Sequence, residues 1–260
     1  MECVRSKCFK NGEVFSLRTE DGYPLEVTDT FLPFYTKDAV GRKQNLLSSS
    51  DLGSRKERWM IGVSCMSGCP VGCKFCATGQ LKKFRNLSSS EIVQQVEFVL
   101  RSREDSFSSA QEHKINYTRM GEPFLNLHEV RGAISEIESK YPGTHHYVST
   151  IGVRGSDFSW VKDNITLQIS LHSLSDERRN WLIPFKNKLT IKELGQIRTK
   201  SNLKTTINLT LVDEKDFNIA VLKEYFDPAH FFIKLSPINK NAVSENNSLG
   251  DGIIKGANLL

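Results

Sequence analysis

Trp59-Met60-Ile61-Gly62-Val63-Ser64 is a short β-prone run, and it leads the chain into Cys69-Pro70-Val71-Gly72-Cys73-Lys74-Phe75-Cys76. Ser88-Ser89-Ser90-Glu91 follows as a capping box, a hydroxyl with an acid three residues on. Ile92, Val93, Val96, Val99 and Leu100 then recur at helical spacing. Strand, cysteine loop and helix make one β/α unit.

The pattern repeats toward the carboxyl end. Strands are expected at Ile115–Thr118, Tyr147–Ile151, Thr166–Leu171, Leu203–Val212 and Phe231–Leu235. Between them, Asn126 is expected to cap a helix carrying Val130, Ile134 and Ile137 on one face. A short helix is expected near Asp157–Val161, a capping box at Thr190 and Glu193, and a last helix over Phe217–Phe226, ending before Pro228. Strands alternating with helices imply parallel β/α units. The expected fold class is α/β: a partial (β/α)6 barrel, open on one side, with a small N-terminal β-hairpin piece. That hairpin is Val14–Arg18, Asp21-Gly22 and Leu25–Val27, followed by a Ser-, Gly- and charge-rich loop from Asp38 to Arg58. The expected boundaries are 1–56 for hairpin and linker, 57–240 for the barrel, and 241–260 for an irregular tail.

The cysteine spacing is C-x3-C-x2-C, with no further cysteine after Cys76. A cubane iron–sulfur cluster usually takes four thiolates. Three leave one iron open to a ligand. A structural zinc site is the competing reading, with Cys65 as the fourth ligand. Only Cys69, Cys73 and Cys76 fit the cluster spacing, because a register begun at Cys65 needs cysteine where Gly72 stands. A metal-free descendant is the third reading.

At 260 residues, 38% hydrophobic and 25% charged, the chain reads as an ordinary globular protein. No apolar run approaches the roughly 20 residues of a membrane span, and Met1-Glu2-Cys3-Val4-Arg5 lacks the apolar core of a signal peptide. Six cysteines in a chain this long do not read as a disulfide framework. A reducing, cytoplasmic setting is expected. The net charge of +5 permits a polyanionic substrate. Basic clusters stand at Lys74, Lys82, Lys83 and Arg85, and at Arg178, Arg179, Lys186 and Lys188. Both flank expected active-site loops. A solvated surface is the plain alternative for each.

Active sites of β/α barrels lie at the carboxyl ends of the strands. There the sequence sets Met120-Gly121-Glu122-Pro123, Ser149-Thr150-Ile151-Gly152, Ser170-Leu171-His172 and Ser236-Pro237-Ile238-Asn239. Each is weak alone. Together they form a ring of polar groups suited to a zwitterion. Glu122 offers a carboxylate for an ammonium, and Gly121 lets backbone approach a ligand.

The cysteine spacing resembles that of radical S-adenosylmethionine (SAM) enzymes. The order C-x3-C-x2-C-A-T-G, M-G-E-P-x-L-N, S-T-x-G, S-L-H and a late Asn resembles the RlmN/Cfr family, which methylates adenines in RNA. The resemblance covers about residues 58–240. It implies a [4Fe-4S] cluster on Cys69, Cys73 and Cys76. It implies SAM contacts from Gly121, Glu122, Ser149, Ser170, Leu171, His172 and Asn239. It places Glu26 at the family's proposed proton acceptor. It further implies a one-electron donor such as flavodoxin or ferredoxin, and an RNA or nucleotide substrate. SAM is split in such enzymes into methionine and a 5′-deoxyadenosyl radical.

Two departures qualify that resemblance. The family's methylation needs a late cysteine that carries the methyl group, and none lies between Lys240 and Leu260. It needs another just before the cluster loop, where this chain has Gly62. Three readings follow: a radical SAM enzyme that abstracts hydrogen directly from its substrate, an RNA adenine methyltransferase with its carrier cysteine replaced or lying outside this sequence, and a non-catalytic SAM- or RNA-binding protein. Cys65 is expected to be a small buried residue, and Cys3 and Cys8 free thiols.

Overall fold

A computed structural model describes residues 1–37, 43–44, 52–210, 216–238 and 240–249. Its frame is one nine-stranded sheet whose strand order follows the chain. The strands are β1 (Glu2–Phe9), β2 (Gly12–Arg18), β3 (Pro24–Leu32), β4 (Arg58–Gly62), β5 (Glu112–Tyr117), β6 (His145–Thr150), β7 (Ile165–Ser170), β8 (Thr205–Thr210) and β9 (Phe231–Ser236). The first three are antiparallel, and β3 joins β4 antiparallel, with Thr28 opposite Gly62. From β4 to β9 every pairing is parallel. Among the described residues neither end of the sheet pairs with the other, so the six parallel strands form an open partial barrel.

Side chains alternate along these strands because the two faces differ. Ile61, Ile115, Val148, Leu167, Ile169 and Ile207 are fully buried under the helices. Their neighbours Lys114, Asn116, Tyr147, Thr166 and Gln168 face a concave channel. A parallel sheet buried on both faces would read as continuous apolar runs. Here the polar inner face restores the period of two.

The helices are α1 (Ser89–Arg101), α2 (Leu127–Lys140), α3 (Asp176–Leu182), α4 (Ile191–Leu194), α5 (Ile219–Tyr225) and α6 (Ala242–Asn246). Ser88 caps α1 with both bonds of the capping box in place, and Thr190 does the same for α4. α1 buries Ile92, Val93, Val96 and Val99, and α2 buries Val130, Ala133, Ile134 and Ile137. Each larger aliphatic side chain contributes roughly 1.5–3 kcal/mol on full burial. Among the described residues no helix is long and apolar enough to cross a membrane.

Several expectations change. The hairpin is a three-stranded extension of the barrel sheet, because exposed, charged β1 carries no apolar stripe to announce it. Turns replace the helix expected near Asp157–Val161, and the Asp157 carboxylate accepts the Ser159 N–H at 2.7 Å. Such local bonds compete with helix. α6 stands where an irregular tail was expected, capped by Asn241. Leu211 and Val212, most of the 38–58 loop with Ser48-Ser49-Ser50, and residues 250–260 lie outside the described residues.

Candidate active site

β4 ends at Gly62, and its exit is fixed by a buried amide. Gln95 of α1 accepts the Ser64 N–H at 2.8 Å and donates to the Ser64 carbonyl at 2.9 Å. Cys65 and Met66 then donate their N–H groups to the Met120 carbonyl, at 2.9 and 3.2 Å. Asn126 has a second use here. Its side chain makes no cap to α2 and instead donates to the carbonyls of Cys65 and Leu87, both at 2.8 Å. The segment leading to the cysteines is thus tied to the loop that carries Glu122.

The cysteine loop is clamped from two sides. Lys74 donates its N–H to the Leu182 carbonyl at 2.9 Å. From the other side Asn241 and Asn247, at the two ends of α6, donate to the carbonyls of Phe75 and Lys74, each at 3.0 Å. Nothing in the sequence announces this clamp, because an Asn-rich segment also reads as loop.

Cys69, Cys73 and Cys76 face a cavity of about 180 Å³ at the carboxyl ends of the strands. Gly121, Glu122, Ser149, Ser170 and His172 line it as well. Leu171 is fully buried and forms no part of the wall. Asn239 lies outside the described residues. Tyr117, Thr118, Arg119 and Thr150 also line the cavity. Thr150 stands inside the motif at 149–152, whereas Tyr117, Thr118 and Arg119 escape sequence reading because they precede the motif at Met120 rather than belong to it.

Glu122 is buried, and burial lifts its carboxyl to about 7. Its two oxygens accept the Phe124 N–H at 3.1 Å and the Ile151 N–H at 2.9 Å, which orient it. Gly121 has a φ of +98°, and a Cβ there would stand 2.6 Å from the Met66 side chain. Glycine is therefore required on both counts. Ser149 and Ser170 exchange a hydroxyl bond at 3.2 Å. His172 holds a left-handed φ of 61°, and its Nδ1 accepts the Thr210 N–H at 3.2 Å. Burial pulls its pKa to about 3, with Arg179 adding to the shift. The ring is neutral and carries its proton on Nε2.

Burial pushes the Cys69 thiol up to about 12 and Cys73 well above its ordinary value. Such thiols ionise only against positive charge, which iron supplies. Among the described residues no three His, Cys, Asp or Glu side chains are grouped as ligands of a single metal ion. Thiolates that bind separate irons of a cubane need not converge on one point. Cys65 is buried and its Sγ approaches the Met120 carbonyl at 3.4 Å, away from a ligand role. The donor set fits the cluster better than zinc. The carboxylate, hydroxyls and close backbone fit the amino-acid end of SAM.

Glu26 is not in the cavity wall. It forms an ion pair with Arg119, which is. Gly62 lies beneath this pair. A Cβ at position 62 would stand 2.4 Å from Thr28 Oγ1 and 3.0 Å from Arg119 Cδ. The φ of Gly62 is not positive, so glycine supplies space rather than conformational freedom. Burial lowers the Arg119 pKa from its ordinary value.

The basic clusters separate into different roles. Lys82 and Lys83 are exposed. Arg85 is held by Asp21 and Glu91 at 2.6 and 2.7 Å. Arg179 is buried and donates to the carbonyls of Ile151 and Leu189. Lys188 is buried and donates to Asn180 and the Phe185 carbonyl. Arg178 pairs with Asp216. Most of the second cluster is therefore internal scaffolding of the site.

An open parallel barrel with three loop thiols at its mouth defines a class, and residues 63–222 match the Radical SAM superfamily. The chain belongs to that superfamily of enzymes, which implies a [4Fe-4S] cluster and SAM. It is similar to "Probable dual-specificity RNA methyltransferase RlmN" of Dictyoglomus turgidum, 33% identical over 209 residues, covering 72% of this chain and 57% of that protein. It is similar also to "Dual-specificity RNA methyltransferase RlmN" of Campylobacter fetus, 30% identical over 191 residues, covering 71% and 51%. The chain spans about half the length of the curated relatives it matches. The crystal structure of a radical SAM methyltransferase from Sphaerobacter thermophilus superposes with a TM-score of 0.67 at 22% identity, covering 92% of this chain and 67% of that one. That likeness concerns the fold.

Proposed function

We propose that this chain is a radical SAM enzyme that activates a C–H bond of a nucleobase-bearing substrate. The observation that carries the reading is the single cavity shared by Cys69, Cys73, Cys76 and Glu122. The three thiols would hold the cluster. When bound and reduced, the cluster supplies one electron that splits SAM and generates a 5′-deoxyadenosyl radical. Glu122 would hold the ammonium of SAM, and the loop at Gly121 would give it backbone access. Ser149, Ser170 and the Nε2–H of His172 would orient its polar groups. The buried walls exclude water, which protects a reactive carbon centre.

The names of the relatives support RNA as the substrate. Resolution of a methylated adduct by a thiol at position 62, the role that the family gives its early cysteine, is not supported, because glycine has no group to take a proton and Arg119 fills the space beside it. Direct hydrogen abstraction is therefore preferred over adenine methylation. A one-electron donor such as flavodoxin or ferredoxin is required by this chemistry.

The test is anaerobic reconstitution of the cluster, followed by SAM and dithionite. 5′-Deoxyadenosine and methionine are expected from the wild-type chain and lost in Cys73→Ala. Reconstituted protein that binds SAM without ever cleaving it would reject the enzymatic reading in favour of a binding protein. S-Adenosylhomocysteine with methylated RNA would restore the methyltransferase.

A further inference from the structure

Arg119 is the unusual residue of the cavity. It emerges at the end of β5, where its N–H donates to the Val63 carbonyl at 3.2 Å. Its stem crosses β4 over Gly62, the only residue type that leaves room for it there. Its guanidinium lines the cavity and keeps about a third of its surface exposed, 34%. One Nη donates to Glu26 Oε1, while the buried Nε–H has no partner among the described residues. A guanidinium presents five donors in a planar fork matched to phosphate and carboxylate. A single carboxylate oxygen uses little of that capacity, and a buried unpaired N–H costs free energy until an acceptor arrives. Glu26 is itself 37% exposed, so the pair can open without breaching the core.

We propose that Arg119 is a substrate-binding residue that takes a phosphate of the substrate, with Glu26 as a built-in counterion that the phosphate displaces. The inference rests on the nucleotide-bearing substrate argued above, and names the group by which it is held. Gly62 is then a specificity position. Its missing side chain exchanges reactive capacity for a cation at the mouth of the cavity. Two sources carry this chemistry, a free nucleotide and a nucleotide within RNA.

Calorimetric titration of the reconstituted chain in unreduced SAM separates them. The probes are adenosine, AMP and a short single-stranded oligoribonucleotide. For a free nucleotide, AMP is expected to bind about tenfold or more tightly than adenosine, as a charge-assisted bond allows. R119A should remove that difference and R119K should restore part of it. For RNA, the oligonucleotide should bind more tightly than AMP, and R119A should weaken it by a similar factor. In either case E26Q should strengthen binding of the phosphorylated probe and leave adenosine unchanged, a gain that misfolding cannot produce. The proposal is overturned if R119A leaves both AMP and oligonucleotide within about twofold of wild type. It is equally overturned if E26Q weakens them. Wild-type SAM cleavage, measured separately, distinguishes the two failures: its absence rejects the radical enzyme, whereas cleavage without Arg119-dependent phosphate binding rejects only this assignment.

Discussion

Glu122 shows how one buried carboxylate sets a pH dependence. Burial raises it to about 7, so near neutrality the free protein holds a mixture of acid and carboxylate. Only the carboxylate attracts an ammonium. SAM affinity is expected to be level just above pH 7 and to fall by up to about tenfold per pH unit below it. Calorimetry from pH 5.5 to 7.5 checks this, and Glu122→Gln should bind weakly with no such slope. The sign for stability is the opposite. A folded pKa raised above the unfolded one contributes stability that is complete below about 4.5 and is lost as pH rises through about 7. Urea denaturation of the SAM-free wild type and Glu122→Gln across that window should show the difference narrowing at low pH. The motif around Glu122 was legible in the sequence. Its ionisation was not, because burial depends on residues brought from other strands.

At the scale of elements, two contacts bind separate pieces of chain. Asp29 on β3 is fully buried and accepts from Trp59 Nε1 at 2.7 Å, from Arg55 at 2.7 Å and from Arg103 at 2.7 Å. It joins the antiparallel extension to the barrel. Asp29→Ala leaves two cations without their shared partner. The loss of stability should sit near the lower end of roughly 3–5 kcal/mol, because both guanidinia keep about a fifth of their surface in water, 22% and 19%. Chemical denaturation measures it, and a loss under about 1 kcal/mol would mark the network as a surface feature. The second contact is the clamp of α6 on the cysteine loop. Asn241→Ala with Asn247→Ala should lower iron and sulfide bound per chain while far-ultraviolet circular dichroism stays unchanged. Full loading in the double variant would show that the loop holds its shape without α6.

Across the whole molecule, charge is less exposed than the sequence suggests. Arg85, Arg178, Arg179 and Lys188 are engaged within the protein, whereas Lys82 and Lys83 remain at the surface. If RNA crosses that surface, Lys82→Ala with Lys83→Ala should weaken oligonucleotide binding and flatten its salt dependence by about 0.7 per lost phosphate contact. An unchanged slope would place the RNA path elsewhere. Local information was enough for the alternation of strands and helices, the capping boxes of α1 and α4, and the thiol spacing, because each depends on neighbours within a few residues. It also placed the motifs at one end of the barrel, since right-handed β/α units leave little choice. It did not reveal β1, whose pairing comes from β2 rather than from an apolar pattern of its own. Nor did it show that Asn126 ties two loops together, that α6 grips the cysteines, or that Gly62 makes room for Arg119 to reach Glu26. Those contacts join residues from 39 to 173 positions apart. The sequence by itself determined the superfamily's chemistry and the open barrel. The tertiary structure alone decided which polar groups face the cavity and which are consumed in holding it together, because burial and partnership are properties of the packed chain.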